Sequence, residues 1–519
     1  MPHELPTRDT RVFKWRKREP VIENTEFRGE SFSPPPTEIP DPQEYFKIFW
    51  DDSIMNNLVE QTNLYSVQKT GKSIDTNLKE MQQFIGINLL MSIVQLPSYT
   101  MYWSADCRCE PVASVMSLKR YQSLRRFLHA VDNSTKDESS DKLFKVKPVL
   151  EGVRQNCLKI DQEPYQSLDE QMIPAKTKRS GILQHLPKKI HKWGFKNFVR
   201  AGKSGFIYDF FLYAGSKSAG TEKCGVEDVV MRLLEEVPRH KGYRILFDNW
   251  FSTLRLMTRL KSEGILATAT FRTNRIGNCP LSSDKELRSQ GRGSYDYKTD
   301  QNTGIHLIKW YDNKSVLIGS TFSGVESRQV VRRWDSKTKA HVHVSCPDMI
   351  IDYNSAMGGV DLADMLISLY RTKMNPKKRW YLKLIFHCVD IAKVNGWLLY
   401  RRHCFQTDLP KNEILCLRKF ILQVARSLCM KDADLERRVG RPSKRSISPP
   451  FRRGKKPHVA KPTNDIRNDG IGHWPEVREK RNRCRNCSIG FSFIPLLQMR
   501  NVFVPEQRPK LFQRLSRLN

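Results

Sequence analysis

Four aspartates in this 519-residue chain sit where local patterning puts carboxylates at or near the ends of regular elements. Asp169 lies in Ser167-Leu168-Asp169-Glu170-Gln171-Met172-Ile173, which reads as a strand whose period-two alternation points it away from Glu170. Asp248 ends the short apolar strand Arg244-Ile245-Leu246-Phe247 and is followed by Asn249-Trp250-Phe251. Asp361 opens a helix directly after Gly358-Gly359-Val360, and Asp364 follows one turn later. On that helix Leu362, Met365, Leu366, Leu369 and Tyr370 recur at helical spacing as the expected core face, with both aspartates on the adjacent stripe. Each position has an ordinary alternative: a helix N-cap for Asp248, a complement to the helix dipole for Asp361 and Asp364, a salt bridge for Asp169. The combination says more. Carboxylates gathered in one α/β domain repel each other unless a cation lies between them. Mg²⁺ or Mn²⁺ suits such a set, being a hard ion that takes carboxylate oxygens and keeps room for substrate phosphates. Two such ions can activate an attacking oxygen and stabilise the leaving oxygen of a phosphodiester.

The elements that must position these groups follow from periodicity. Residues 1–43 include Ser33-Pro34-Pro35-Pro36 and read as a flexible leader. A helical region spans 44–150: Ile54, Leu58 and Val59 recur at helical spacing, as do Leu78, Met81, Phe84, Ile85 and Leu89. A third helix over 117–131 carries Lys119, Arg120, Arg125 and Arg126 opposite its apolar face, either as a solvated surface or as a contact to a DNA backbone. The texture then turns mixed α/β over 151–274, with strands predicted at 165–173, 206–213, 244–247 and 265–271 and a helix at 254–261. Residues 275–345 read as a β-rich insertion. Within it 280–300 looks like an exposed polar stretch, and strands at 305–311 and 315–320 flank the turn Asp312-Asn313-Lys314. Residues 346–430 complete the α/β part and include a long apolar helix at 380–400.

Charge separates the ends from the middle. The chain has 88 Lys+Arg against 55 Asp+Glu, a net charge of +33, which calls for a polyanionic partner. Residues 431–519 hold 22 of the basic and 8 of the acidic residues, or +14, in proline-interrupted clusters that read as a disordered basic tail. No apolar run reaches the roughly 20 residues that a membrane span needs. Met1–Thr10 lacks the apolar segment of a signal peptide, so a reducing compartment and free thiols are expected for the twelve cysteines.

At the aspartates the sequence resembles the piggyBac transposase family and its host-derived relatives. The resemblance rests on Ser167–Met172, on Pro187-Lys188-Lys189 with Lys192-Trp193-Gly194-Phe195-Lys196, on Phe247-Asp248-Asn249-Trp250-Phe251-Ser252, and on Asp352-Tyr353-Asn354 with Gly358-Gly359-Val360-Asp361. It covers about residues 44–404. It implies an RNase H-like catalytic domain interrupted by a β-rich insertion and flanked by helical regions that serve dimerisation and DNA contact. It further implies metal ligation by Asp169, Asp248 and Asp361, with Asp364 as a further acidic position, and a homodimer acting on DNA in the nucleus. Lys188, Lys189, Lys192 and Lys196 are then candidate phosphate contacts. Gly440-Arg441-Pro442 with Lys444 and Arg445 resembles a minor-groove-binding core, although Val439 stands where an Arg is usual. The family's cysteine-rich zinc domain is reduced here to Cys484-Arg485-Asn486-Cys487. His473 is a possible third ligand and no local fourth is present, so zinc is not expected. Two functions stay open: a metal-dependent DNA nuclease and strand transferase, or a domesticated, non-enzymatic DNA-binding or chromatin protein.

Overall fold

In the computed structural model the described residues are 13–19, 25–136, 141–175, 181–187, 189, 191–215, 225–325, 328–374 and 379–430, with four short strand segments after residue 481. Two compact units divide the chain, residues 1–433 and 434–519.

Among the described residues six α-helices follow a short strand β1 (Trp15–Arg16): α1 (Pro42–Phe49), α2 (Asp52–Thr70), α3 (Leu78–Ile93), α4 (Glu110–Ala113), α5 (Leu118–Phe127) and α6 (Lys147–Leu158). Side-chain caps start several of them, as where Asp51 accepts the Ile54 N–H at 2.9 Å and Asn77 accepts the Glu80 N–H at 2.9 Å. The sheet begins with β2 (Tyr165–Pro174), β3 (Gln184–His185), β4 (Trp193–Gly202) and β5 (Ile207–Leu212). Next come α7 (Val226–Leu233), β6 (Arg244–Phe247), α8 (Leu254–Ser262), β7 (Leu266–Thr270) and α9 (Asp284–Gln290). Strands β8 (Tyr295–Asp300), β9 (His306–Tyr311), β10 (Ser315–Ser320), β11 (Arg328–Asp335) and β12 (Ala340–Pro347) follow. Helices α10 (Asp348–Ala356), α11 (Gly359–Leu369), α12 (Tyr381–Gln406) and α13 (Leu417–Met430) complete the unit.

Among the described residues ten strands form one mixed sheet in the order β1-β8-β9-β10-β7-β6-β2-β4-β3, with β5 also paired to β4. Its centre has β2 and β6 parallel, β6 and β7 parallel, and β4 antiparallel to both β2 and β5. Alternation along the strands sorts side chains between two apolar layers. Leu168, Phe198, Ile245 and Phe247 pack with α7 and α8, while Ile173, Phe195, Val199 and Ala201 join the helical core on the other face. That core merges residues from both ends of the unit: Tyr45 and Phe49 of α1, Phe84 of α3, and Ile385, Phe386 and Phe420 of α12 and α13.

Several expectations change. The helical regions 44–150 and 346–430, separate in the sequence, share one core. The expected insertion 275–345 is not a body apart. Its strands β8, β9 and β10 extend the central sheet, because β10 pairs antiparallel with β7 and so occupies an edge that would otherwise expose unpaired backbone groups. Only β11 and β12 stand as a separate two-stranded ribbon. The polar stretch 280–300 holds α9, started by a reciprocal Ser283–Glu286 capping box, and β8. Part of the expected flexible leader adds β1 to the β8 edge, where Trp15 pairs with Asp300.

Beyond residue 433, Asn482–Arg483 pairs with Phe491–Ser492 and Ile494–Leu496 with Asn501–Phe503. The rest of the expected disordered tail lies outside the described residues, including Arg441, Lys444 and Arg445. Among the described residues no helix is long and apolar enough to cross a membrane.

Candidate acidic active site

Strand pairing brings the first two carboxylates together. The β2–β6 ladder ends at Leu168 opposite Phe247, and the next residue along the chain is Asp169 in one case and Asp248, just past β6, in the other. Asp169 shares its β2 face with Ser167 and Gln171, which meet α11: Ser167 Oγ accepts the Val360 N–H at 3.2 Å, and Gln171 Nε2 reaches Asp364 Oδ1 at 3.3 Å. This fixes the first turn of α11, and Asp361 with it, over β2. The approach depends on Gly359. A Cβ there would lie 2.3 Å from the Gly202 carbonyl oxygen and 2.7 Å from Ser167 Oγ, so a larger residue would force helix and sheet apart.

The four aspartates differ in surroundings. Burial pushes the Asp169 carboxyl up from 3.8 to about 6; Glu170 and Asp361 add to the rise, while Lys189 and the Glu170 N–H oppose it. The Glu170 N–H donates to Asp169 Oδ1 at 2.7 Å. Asp248 Oδ1 accepts from Thr270 Oγ1 at 2.8 Å and from Asn249 Nδ2 at 3.0 Å. Asp361 is exposed and makes no hydrogen bond or ion pair among the described residues. Asp364 is held twice, by Gln171 and by Arg371 at 3.1 Å. Tyr353 of α10 closes the floor, with its hydroxyl 3.5 Å from the Phe247 carbonyl oxygen. Burial raises that hydroxyl well above its usual range, and the charges of Asp248 and Asp169 add to the effect against a hydrogen bond with Thr270.

Among the described residues no group of three or more His, Cys, Asp or Glu stands close enough, as placed, to hold a metal ion. The donor chemistry nevertheless fits a hard divalent cation. Asp169, Asp248 and Asp361 offer carboxylate oxygens, and the raised Asp169 marks a place where added positive charge is favourable.

The lysines divide. Lys189 lies beside the acidic site, donating to the Glu170 carbonyl oxygen at 3.2 Å with Glu170 Oε1 at 3.9 Å. Lys192 is exposed without a side-chain partner among the described residues. Lys196, expected as a phosphate contact, is instead buried on the opposite sheet face. It pairs with Glu170 Oε2 at 2.8 Å and lies over the Trp250 and Phe198 rings at 4.3 and 4.7 Å. Lys188 lies outside the described residues. On α5, Arg120 is taken by Glu80 and the Ile74 carbonyl oxygen, whereas Lys119 and Arg126 are exposed.

Two expectations about α11 are corrected. Met365 and Leu369 face outward, and the buried side consists of Val360, Ala363, Leu366 and Ile367. Asp361 shares the exposed stripe with Met365, whereas Asp364 turns toward Gln171 and Arg371, so the two acids do not face the same way. Sequence reading missed Thr270, Gln171 and His387. Gln171 was within reach, being two residues from Asp169 on the same strand face. His387, 3.0 Å from Gln171 Oε1, sits in an apolar helix with no local signal.

The chain resembles known proteins over most of its length. A family model described as Transposase IS4 matches residues 41–397. PiggyBac transposable element-derived protein 3 of Homo sapiens is 30% identical over 491 residues, covering 92% of this chain and 78% of the relative. PiggyBac transposable element-derived protein 2 of Homo sapiens is 28% identical over 485 residues, covering 91% and 75%. Among solved structures, a piggyBac transposase synaptic complex with hairpin DNA matches with a TM-score of 0.65 at 22% identity, over 77% of this chain and 83% of that one.

Proposed function

Because this chain belongs to the piggyBac transposable element-derived protein family of IS4-type transposases, we propose that it binds DNA and cleaves and rejoins phosphodiesters at Asp169, Asp248 and Asp361. The observation that carries the reading is the strand order β5-β4-β2-β6-β7, with Asp169 on β2 beside Asp248, the residue directly after β6. That order, antiparallel on one side of β2 and parallel on the other, supports the reading of an RNase H-like domain.

Asp169, Asp248 and Asp361 would hold Mg²⁺ or Mn²⁺, which when bound polarises the phosphodiester and lowers the pKa of an attacking water or hydroxyl. The chain's own groups do the rest. Thr270 and Asn249 fix one oxygen of Asp248 and leave the other open. Asp361, exposed at the start of α11, stands where DNA would enter. Lys189 and Lys192 supply positive charge beside the carboxylates. Tyr353, kept neutral, retains its proton beneath Asp248. A homodimer in the nucleus completes the proposal.

The experiment is nicking of a supercoiled plasmid by the full chain and by Asp248→Ala, each with Mg²⁺ or with EDTA. Metal-dependent nicking lost in the variant supports the reading. Binding without nicking, unchanged by the substitution, is the behaviour of a domesticated DNA-binding protein that keeps these acids by descent, and it would overturn the nuclease proposal.

A further inference from the structure

The β11–β12 ribbon carries a surface that the acidic site does not use. Arg332 pairs with His343 and Trp334 with His341 across the two strands, and alternation puts all four on the outward face together with Val330. Trp334 is 54% exposed and Val330 65%, high values for apolar side chains in a paired strand. His341 meets the Trp334 ring edge-on, with centroids 5.2 Å apart and planes at 74°, which fixes the tilt of the indole.

Among the described residues no carboxylate lies on this face. The ribbon's acid, Asp335, points inward and closes the tip turn, accepting from the Lys337 N–H at 3.2 Å and Thr338 Oγ1 at 2.9 Å. Lys337 and Lys339 are exposed at that tip. The inward face is anchored. Arg333 lies 3.4 Å from Asp312 Oδ2, and Trp310 Nε1 donates to the Ser345 carbonyl oxygen at 2.9 Å. The ribbon also runs through Pro347 directly into α10, whose Tyr353 lies under Asp248.

We propose that this face is a DNA contact that stacks one unpaired base on Trp334 and holds the flanking phosphates with Arg332 and the tip lysines. The inference rests on the reading of the chain as a DNA-handling protein. Charge selects a polyanion, and a tilted, half-exposed indole among cations adds affinity for a base that has left its stack. A fully paired duplex offers phosphates to the same cations but no free base to the ring.

The test uses the full chain in EDTA, so that binding is read apart from cleavage. Two probes are compared: a paired DNA duplex and the same duplex with one unpaired 2-aminopurine. The unpaired probe should be quenched by the native chain. Trp334→Ala should lose the quench and bind that probe roughly ten-fold more weakly, with little change on the paired duplex, while Trp334→Phe keeps most of both. Arg332→Ala should lower the salt dependence on both probes by about one phosphate contact. An unchanged quench in Trp334→Ala, an equal loss on both probes, or tighter binding of the corresponding RNA would overturn the ribbon proposal. Failure of the native chain to bind either duplex would overturn the DNA reading beneath it. Binding and quench without Mg²⁺-dependent nicking would sink the nuclease reading alone and leave the ribbon standing.

Discussion

His387, buried midway along α12, places Nε2 3.0 Å from Oε1 of Gln171, two residues along β2 from Asp169. An amide oxygen only accepts, so Nε2 carries a proton. Burial, helped by the nearby charges of Arg371, Lys383 and Lys393, pushes its pKa down to about 3, which keeps it neutral at working pH. Gln171 passes the connection on to Asp364, so a polar line crosses the core from α12 through β2 to α11. His387→Leu would leave Gln171 Oε1 with only the 3.3 Å contact from Asn197. The expected cost is about 1–3 kcal/mol in urea unfolding, with His387→Gln recovering part of it. A loss below about 0.5 kcal/mol would show that the bond contributes little.

Asp169 makes stability depend on pH. Its folded pKa of about 6 lies above the unfolded value near 3.8, so between these values the folded state binds more protons. Stability therefore falls as pH rises from about 4 to 6, and the penalty persists above that. Asp169→Asn should be more stable than the native chain by about 1–2 kcal/mol at pH 8, after discounting for partial exposure, and about equal at pH 4. Thermal denaturation in EDTA at the two pH values reads this directly; a difference independent of pH would place the cause elsewhere.

Asp361 and Asp364 should separate in assay. Asp361→Ala removes an exposed side chain without partners, so nicking should vanish while stability stays within about 0.5 kcal/mol. Asp364→Asn keeps the three carboxylates proposed to hold the metal and weakens only the hold of Gln171 and Arg371 on α11, so a fall of about 10–100-fold is expected. Complete loss in both variants would make Asp364 a ligand in its own right.

The two lysines at either end of Lys192–Lys196 should also part. Lys192→Ala should lower the slope of log binding constant against log salt by about one, with the fold untouched. Lys196→Ala should leave the slope alone and destabilise the protein by about 1–3 kcal/mol, because it leaves Glu170 with the longer 3.9 Å contact to Lys189 and opens a gap beside Trp250. Chemical denaturation and DNA titration across salt, run on both variants, distinguish these roles.

The acids, the strands that carry two of them and several of the helices, among them α3, α5, α8 and α12, were legible in the sequence, because a carboxylate after an apolar strand and a 3.6-residue repeat are local patterns. Strand β6 and strand β10 were readable to the residue. Three things were not. On α11 two apolar stripes compete, and residue type alone favoured Met365 and Leu369. The contact of Gly359 with Gly202 decided instead for Val360, Ala363 and Ile367. For Lys196, the sequence shows a cation among lysines, and only the pairing of β4 with β2 turns it toward Glu170. For β8–β10, membership of the central sheet depends on an open edge at β7, a hydrogen-bonding need that arises only once distant strands have met. Local chemistry thus named Asp169, Asp248 and Asp361 as candidates. Their assembly required the long-range pairing of β2 with β6 and the close seat of α11, which no local repeat encodes.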